Sequence, residues 1–87
     1  MTEQFAHALK LSDLSGNTIT SYCKAVECFY RQYGELNKKH LLSYKGWLVE
    51  NYKAKTVNLR LQALNRYLDF VKKPNLKMKF IKVQQQN

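Results

Sequence analysis

Glycine and proline are scarce in this chain of 87 residues, with three of the first and a single Pro74. Together with an ordinary apolar fraction, that scarcity favours a mostly helical globular domain over disorder. No run of about 18 apolar residues occurs, and the N-terminus lacks the charged-then-apolar pattern of a signal segment. A soluble intracellular protein is therefore expected. Only two cysteines are present, Cys23 and Cys28. On one helix, positions five apart differ by about 140° around the axis, so the pair cannot easily bridge. They read as free thiols of a reducing compartment. His7 and His40 are isolated from the cysteines and from each other, which leaves no metal-ligand set, and no cofactor is expected.

Catalytic motifs are equally absent. There is no glycine-rich phosphate loop, no H-E-x-x-H, and no serine or cysteine in a nucleophile motif. Asp13, Glu27, Glu35, Glu50 and Asp69 are scattered over different segments, so no carboxylate pair is implied. A catalytic centre is not expected.

Acid is missing most conspicuously from the final third. Up to Tyr52 the chain holds six Lys/Arg against five Asp/Glu, and from Lys53 onward nine against one. Such asymmetry argues for a polyanionic partner, either nucleic acid or an anionic membrane surface. At 87 residues the chain makes one module with a single modest core.

Four helical segments and a tail follow from the apolar periods. Phe5, Ala8 and Leu9 define a short helix over Glu3 to Leu11. Ser15 or Asn17 can cap a second, about Thr18 to Tyr33, which buries Ile19, Tyr22, Cys23, Val26, Phe29, Tyr30 and Tyr33 and stops at Gly34. Asn37 can cap a third over Lys38 to Tyr52 that buries Leu41, Tyr44, Trp47, Leu48 and Tyr52. Gly46 inside it predicts close approach by a neighbouring helix.

Thr56 is the expected cap of the fourth helix, which reaches to about Lys72 before Pro74. Val57, Leu61, Leu64, Leu68 and Val71 make its apolar stripe, widened by Leu59, Ala63, Tyr67 and Phe70. Asn58, Gln62, Asn65, Arg66 and Asp69 remain as a polar arc. The predicted fold is all-α, a compact four-helix bundle over residues 1–74, with a basic tail over 75–87 that reads as an edge strand or an extended linker.

Asparagine, glutamine and arginine are the side chains that bond base edges bidentately in the major groove, while lysine and threonine near a helix N-terminus hold phosphate. Lys53 and Lys55 precede the fourth helix and Thr56 starts it, with Asn58, Gln62, Asn65 and Arg66 along its exposed side. Helix two adds Thr18, Thr20, Ser21, Lys24 and Arg31, although Glu27 is read on the same arc. A membrane-bound amphipathic helix fits less well, because the core needs the apolar side of helix four.

Two stretches resemble the N-terminal core-binding domain of tyrosine recombinases of the phage-integrase type, a sterile-alpha-motif-like (SAM-like) helical fold. In "LSGNTITSYCKAVECFY" the matching residues are Ser15, Asn17, Thr18, Tyr22 and Phe29. In "KTVNLRLQALNRYLDFV" they are Thr56, Asn58, Arg60, Leu61, Leu64, Tyr67 and Phe70. The resemblance spans about Phe5 to Lys73. It implies an orthogonal four-helix bundle that clamps one side of a core recombination site on double-stranded DNA. Thr18, Ser21 and Lys24 of the second helix and Lys55, Thr56, Asn58, Arg60, Gln62 and Arg66 of the fourth would face it. Arg60 sits toward the apolar arc, and either reaches phosphate from the rim or packs by its stem. The family's catalytic Arg, Lys, His-x-x-Arg and Tyr lie in a separate domain and have no counterpart here. The expected partners are that catalytic domain in the parent chain and other recombinase protomers on the DNA. The expected setting is the cytoplasm, beside the nucleoid of a prokaryote or phage host. Two further readings stand beside this one: a SAM-type protein-interaction module, and a DNA-binding helical domain unrelated to recombination.

Overall fold

Of the two candidate caps of the second helix it is Ser15 that serves, Asn17 lying inside the first turn, and Asn37 caps the third as expected. In the computed structural model, which describes residues 2–82, the Ser15 hydroxyl accepts from the Thr18 N–H at 3.2 Å. The Asn37 carbonyl oxygen accepts from the His40 N–H at 2.8 Å. These caps set the starts of α2, Gly16–Tyr33, and α3, Lys38–Asn51; α1 is Glu3–Leu11, and α4 is Ala54–Phe70. A single 3₁₀ turn, Pro74–Leu76, follows α4, and no strand occurs among the described residues. The architecture is an all-α bundle of four helices.

Gly34 ends α2 in the left-handed region at φ 69°, a conformation glycine adopts without a Cβ penalty. The end of α4 uses the same device with a less suitable residue. Lys72 stands at φ 62°, while the Lys73 N–H bonds the Leu68 carbonyl and the Lys72 N–H bonds the Asp69 carbonyl. This is a Schellman closure, and it stops α4 two residues before the expected Lys72.

The start of α4 also differs from expectation. Lys53 occupies the cap position without a side-chain cap bond, and its carbonyl accepts from the Val57 N–H at 2.9 Å. Thr56 therefore lies in the first turn and is not the cap. Ala54 and Lys55 are strong helix formers and extend the helix back to the tight Tyr52–Lys53 link with α3.

The core gathers Phe5 and Leu9 of α1, Val26 and Phe29 of α2, Leu41, Tyr44 and Leu48 of α3, and Val57, Leu61, Leu64, Tyr67 and Leu68 of α4. α4 touches every other helix, and its most extensive contact is with α2. Ala25 and Ala63, both buried, supply the small side chains that let these two helices approach. Gly46 has another role than the one expected. It is exposed, and a Cβ there would meet nothing within 4 Å, because α3 turns Leu41, Tyr44 and Leu48 to the core and Gly46 outward. Leu59, read as part of the buried stripe, is 56% exposed, and Phe70 and Tyr52 are also largely outside the core.

Of the segment expected as a linker or edge strand, Asn75 and Leu76 belong to the 3₁₀ turn, and residues 77–82 form neither helix nor strand and lie back along the bundle, with Met78 buried in the core. Val83 and the closing Gln/Asn run lie outside the described residues.

Candidate nucleic-acid interface

Between α2 and α4, with Ala25 and Ala63 among its lining, lies an open groove of about 500 Å³. α2 lines it with Asn17, Thr18, Ser21, Tyr22 and Lys24, and α4 with Thr56, Leu59, Arg60 and Gln62. Six of the residues picked out in the sequence thus share one surface: Thr18, Ser21, Lys24, Thr56, Arg60 and Gln62. No carboxylate is among the lining residues. The two helices present donors and neutral hydroxyls over a small-residue floor, which suits an anionic ligand with a polar edge.

Glu27 does not intrude. Its carboxylate accepts a hydrogen bond from the Thr2 hydroxyl at 2.9 Å, which ties it to the start of α1 and away from the groove. By sequence alone it shares an arc with Thr18, Ser21 and Lys24, because an arc drawn on a helix cannot say where the neighbouring helix cuts it.

Arg60 is held by an aromatic ring. Its guanidinium carbon lies 4.8 Å from the centre of the Tyr52 ring, and Tyr52 packs edge-on against Trp47. A cation over an aromatic face is worth about 0.5–1 kcal/mol at a partly exposed site. This contact holds the guanidinium of the half-buried arginine over the exposed Tyr52 ring, while Arg60 also lines the groove. Nearby in the aromatic core, the Tyr44 hydroxyl is buried with no hydrogen-bond partner among the described residues. Desolvation raises its pKa above the ordinary phenol range, the Cys28 thiol adds to the rise, and Arg60 opposes it.

The remaining candidates lie elsewhere on α4. Lys53, Lys55 and Arg66 are exposed and outside the groove lining. Asn58 and Asn65 are half-buried and engaged. The Asn65 amide bonds the N–H and C=O of Met78, and the Asn58 amide bonds those of Ile81. Asp69, the single acid of α4, pairs with Lys77 at 2.7 Å. Each of the two asparagine amides gives one N–H and one oxygen lone pair to the tail.

Sequence reasoning misses Asn17, Tyr22 and Leu59 as groove residues. The signal is present in Ala25 and Ala63: small residues on facing helices mark the crossing, and their neighbours toward solvent line whatever opens beyond it.

The fold is thus an all-α four-helix bundle with an acid-free groove between two of its helices. A family model described as "Phage integrase, N-terminal SAM-like domain" matches residues 1–77, and the chain belongs to that family. No curated protein and no solved structure matches it. Among the described residues no helix is long and apolar enough to cross a membrane, and no group of His, Cys, Asp and Glu could hold a metal ion.

Proposed function

We propose that this domain binds double-stranded DNA through the α2–α4 groove, clamping one side of a core recombination site and positioning a separate catalytic domain of a tyrosine recombinase. It is inert by itself in strand cleavage, and it works beside other recombinase protomers on the same DNA. The observation that carries this reading is the convergence of Thr18, Ser21 and Lys24 with Thr56, Arg60 and Gln62 on one surface without a carboxylate.

The roles divide by chemistry. Gln62 can bond a base edge bidentately, and Leu59 beside it offers apolar contact to a thymine methyl. Lys24, Thr18 and Ser21 across the groove hold backbone phosphate, as do Lys53 and Lys55 at the start of α4. Arg60, steadied by Tyr52, and Arg66 bring fixed positive charge to the rim.

Duplex titration over a range of salt tests the reading. Affinity should fall with a log-log slope of about −0.9 for each phosphate contacted. A SAM-type protein-interaction module is favoured by one observation, the exposed Leu42 and Val49 on the outer side of α3. It would bind no duplex even at low salt.

A further inference from the structure

Seven residues of helix and three of extended chain cover nearly the same length. At 1.5 Å per helical residue and roughly 3.3 Å per extended residue, both come to about 10 Å. Asn58 and Asn65 have the first spacing on α4, and Met78 and Ile81 have the second in the tail. Both amides therefore engage at once. Each Oδ1 accepts a tail N–H and each Nδ2 donates to the carbonyl of the same residue, with all four bonds at 2.8–2.9 Å.

We infer that Asn58 and Asn65 form a main-chain clamp whose ligand is the chain's own extended segment 77–82, and that holding this segment, not reading bases, is their function. A side-chain amide paired in this way supplies both hydrogen bonds that a neighbouring strand would give. The clamp touches only backbone atoms of the segment, so the exposed side chains of Lys79 and Phe80 are free to vary. Register comes from Met78, which is buried, and from Ile81, which packs against the core. The Lys45 ammonium adds a bond to the Lys79 carbonyl from α3 at 2.6 Å.

The order of the pairs gives the direction. Met78 meets the later asparagine and Ile81 the earlier one, so the segment runs antiparallel to α4 and brings the chain back to within about one turn of Ala54. The clamp thereby fixes where the end of the described segment, Lys82, lies on the bundle. It also separates two jobs on one helix, with the α2-facing side left for DNA. That last point rests on the DNA-binding reading, whereas the clamp itself does not.

Amide hydrogen exchange on the full chain, followed by NMR, tests it. In the Asn58→Ala, Asn65→Ala variant the Met78 and Ile81 amides should lose protection by roughly tenfold or more, while those of Leu61 and Leu64 keep theirs. The same variant should bind duplex DNA within about twofold of wild type. If the double variant fails to fold, Asn58→Asp keeps the acceptor for the Ile81 N–H and loses only the donor to its carbonyl, and protection at Ile81 should fall partway. A spin label at Lys82→Cys, with Cys23 and Cys28 replaced by serine, should broaden amides in the first turns of α4 in the parent and not in the clamp variant. Unchanged protection at Met78 and Ile81 would overturn the clamp. A loss of DNA affinity as large as that of a Gln62→Ala, Arg66→Ala variant would return the asparagines to the DNA surface. If the wild-type chain binds no duplex, the DNA reading fails, and the exchange rates still decide the clamp.

Discussion

α4 shows two polar sides that differ in what has been done with their hydrogen-bonding capacity. Toward α2, Gln62 and Arg60 border an open groove, and the groove lining holds no acid. Toward the tail, Asn58 and Asn65 spend their amides on Met78 and Ile81, and Asp69 is neutralised by Lys77. Both sides consist of residue types that suit base reading. The difference teaches that amides on a helix surface identify a binding surface only after the rest of the chain has taken what it needs.

The buried stripe between the two sides supports both, so breaking it should remove the contrast altogether. Leu61→Ala or Leu64→Ala, at positions 0–1% exposed, should cost about 2–5 kcal/mol in chemical denaturation and destroy groove and clamp together. Next in size is a change at the groove and at the exposed position one turn beyond it. Gln62→Ala with Arg66→Ala should weaken duplex binding by about 1–3 kcal/mol in a titration, while thermal stability stays within about 0.5 kcal/mol.

Two substitutions should stabilise the fold and leave the contrast intact. Gly46→Ala lies on neither side and meets no neighbour, so it should add about 1 kcal/mol. Lys72→Gly relieves a left-handed lysine at the turn that feeds the tail, and should add about 1 kcal/mol without disturbing DNA binding. The smallest effect belongs to Lys77→Ala. Its ion pair with Asp69 is nearly half exposed on both partners, and losing it should cost under about 0.5 kcal/mol, measured by thermal melting.

Much of the bundle is legible in the sequence because its signals are local. Ser15, Asn37 and Gly34 act within one turn of chain, and the stripe from Val57 to Leu68 has the helical period whatever it packs against. Leu59 is misread because its burial depends on where α2 crosses, which no period on α4 encodes. Thr56 is misread as a cap because its residue type fits one, whereas the cap position falls to Lys53 after a short link. Gly46 follows a rule of close packing that applies only on the core side of a helix.

The candidate site divides in the same way. Thr18, Ser21, Lys24, Thr56, Arg60 and Gln62 converge because α2 and α4 pack directly against each other, an arrangement that their matching apolar stripes imply. Asn58 and Asn65 cannot be told from Gln62 by residue type. What separates them is a return of the tail that passes through Lys72 in a conformation unusual for lysine. Arg60, ambiguous on the helical wheel, lines the groove and has its guanidinium over a ring on another segment, Tyr52.

Salt-dependent duplex titration decides whether the acid-free groove between α2 and α4 is a DNA surface. Wild type and a Lys24→Ala, Gln62→Ala variant should be compared from low to moderate salt, with folding checked by circular dichroism. The wild type should bind and weaken steeply with salt. The variant should bind less tightly, with a slope shallower by about 0.9 because Lys24 no longer neutralises a phosphate. Equal affinity and equal slope in two folded proteins would rule the groove out as the DNA surface.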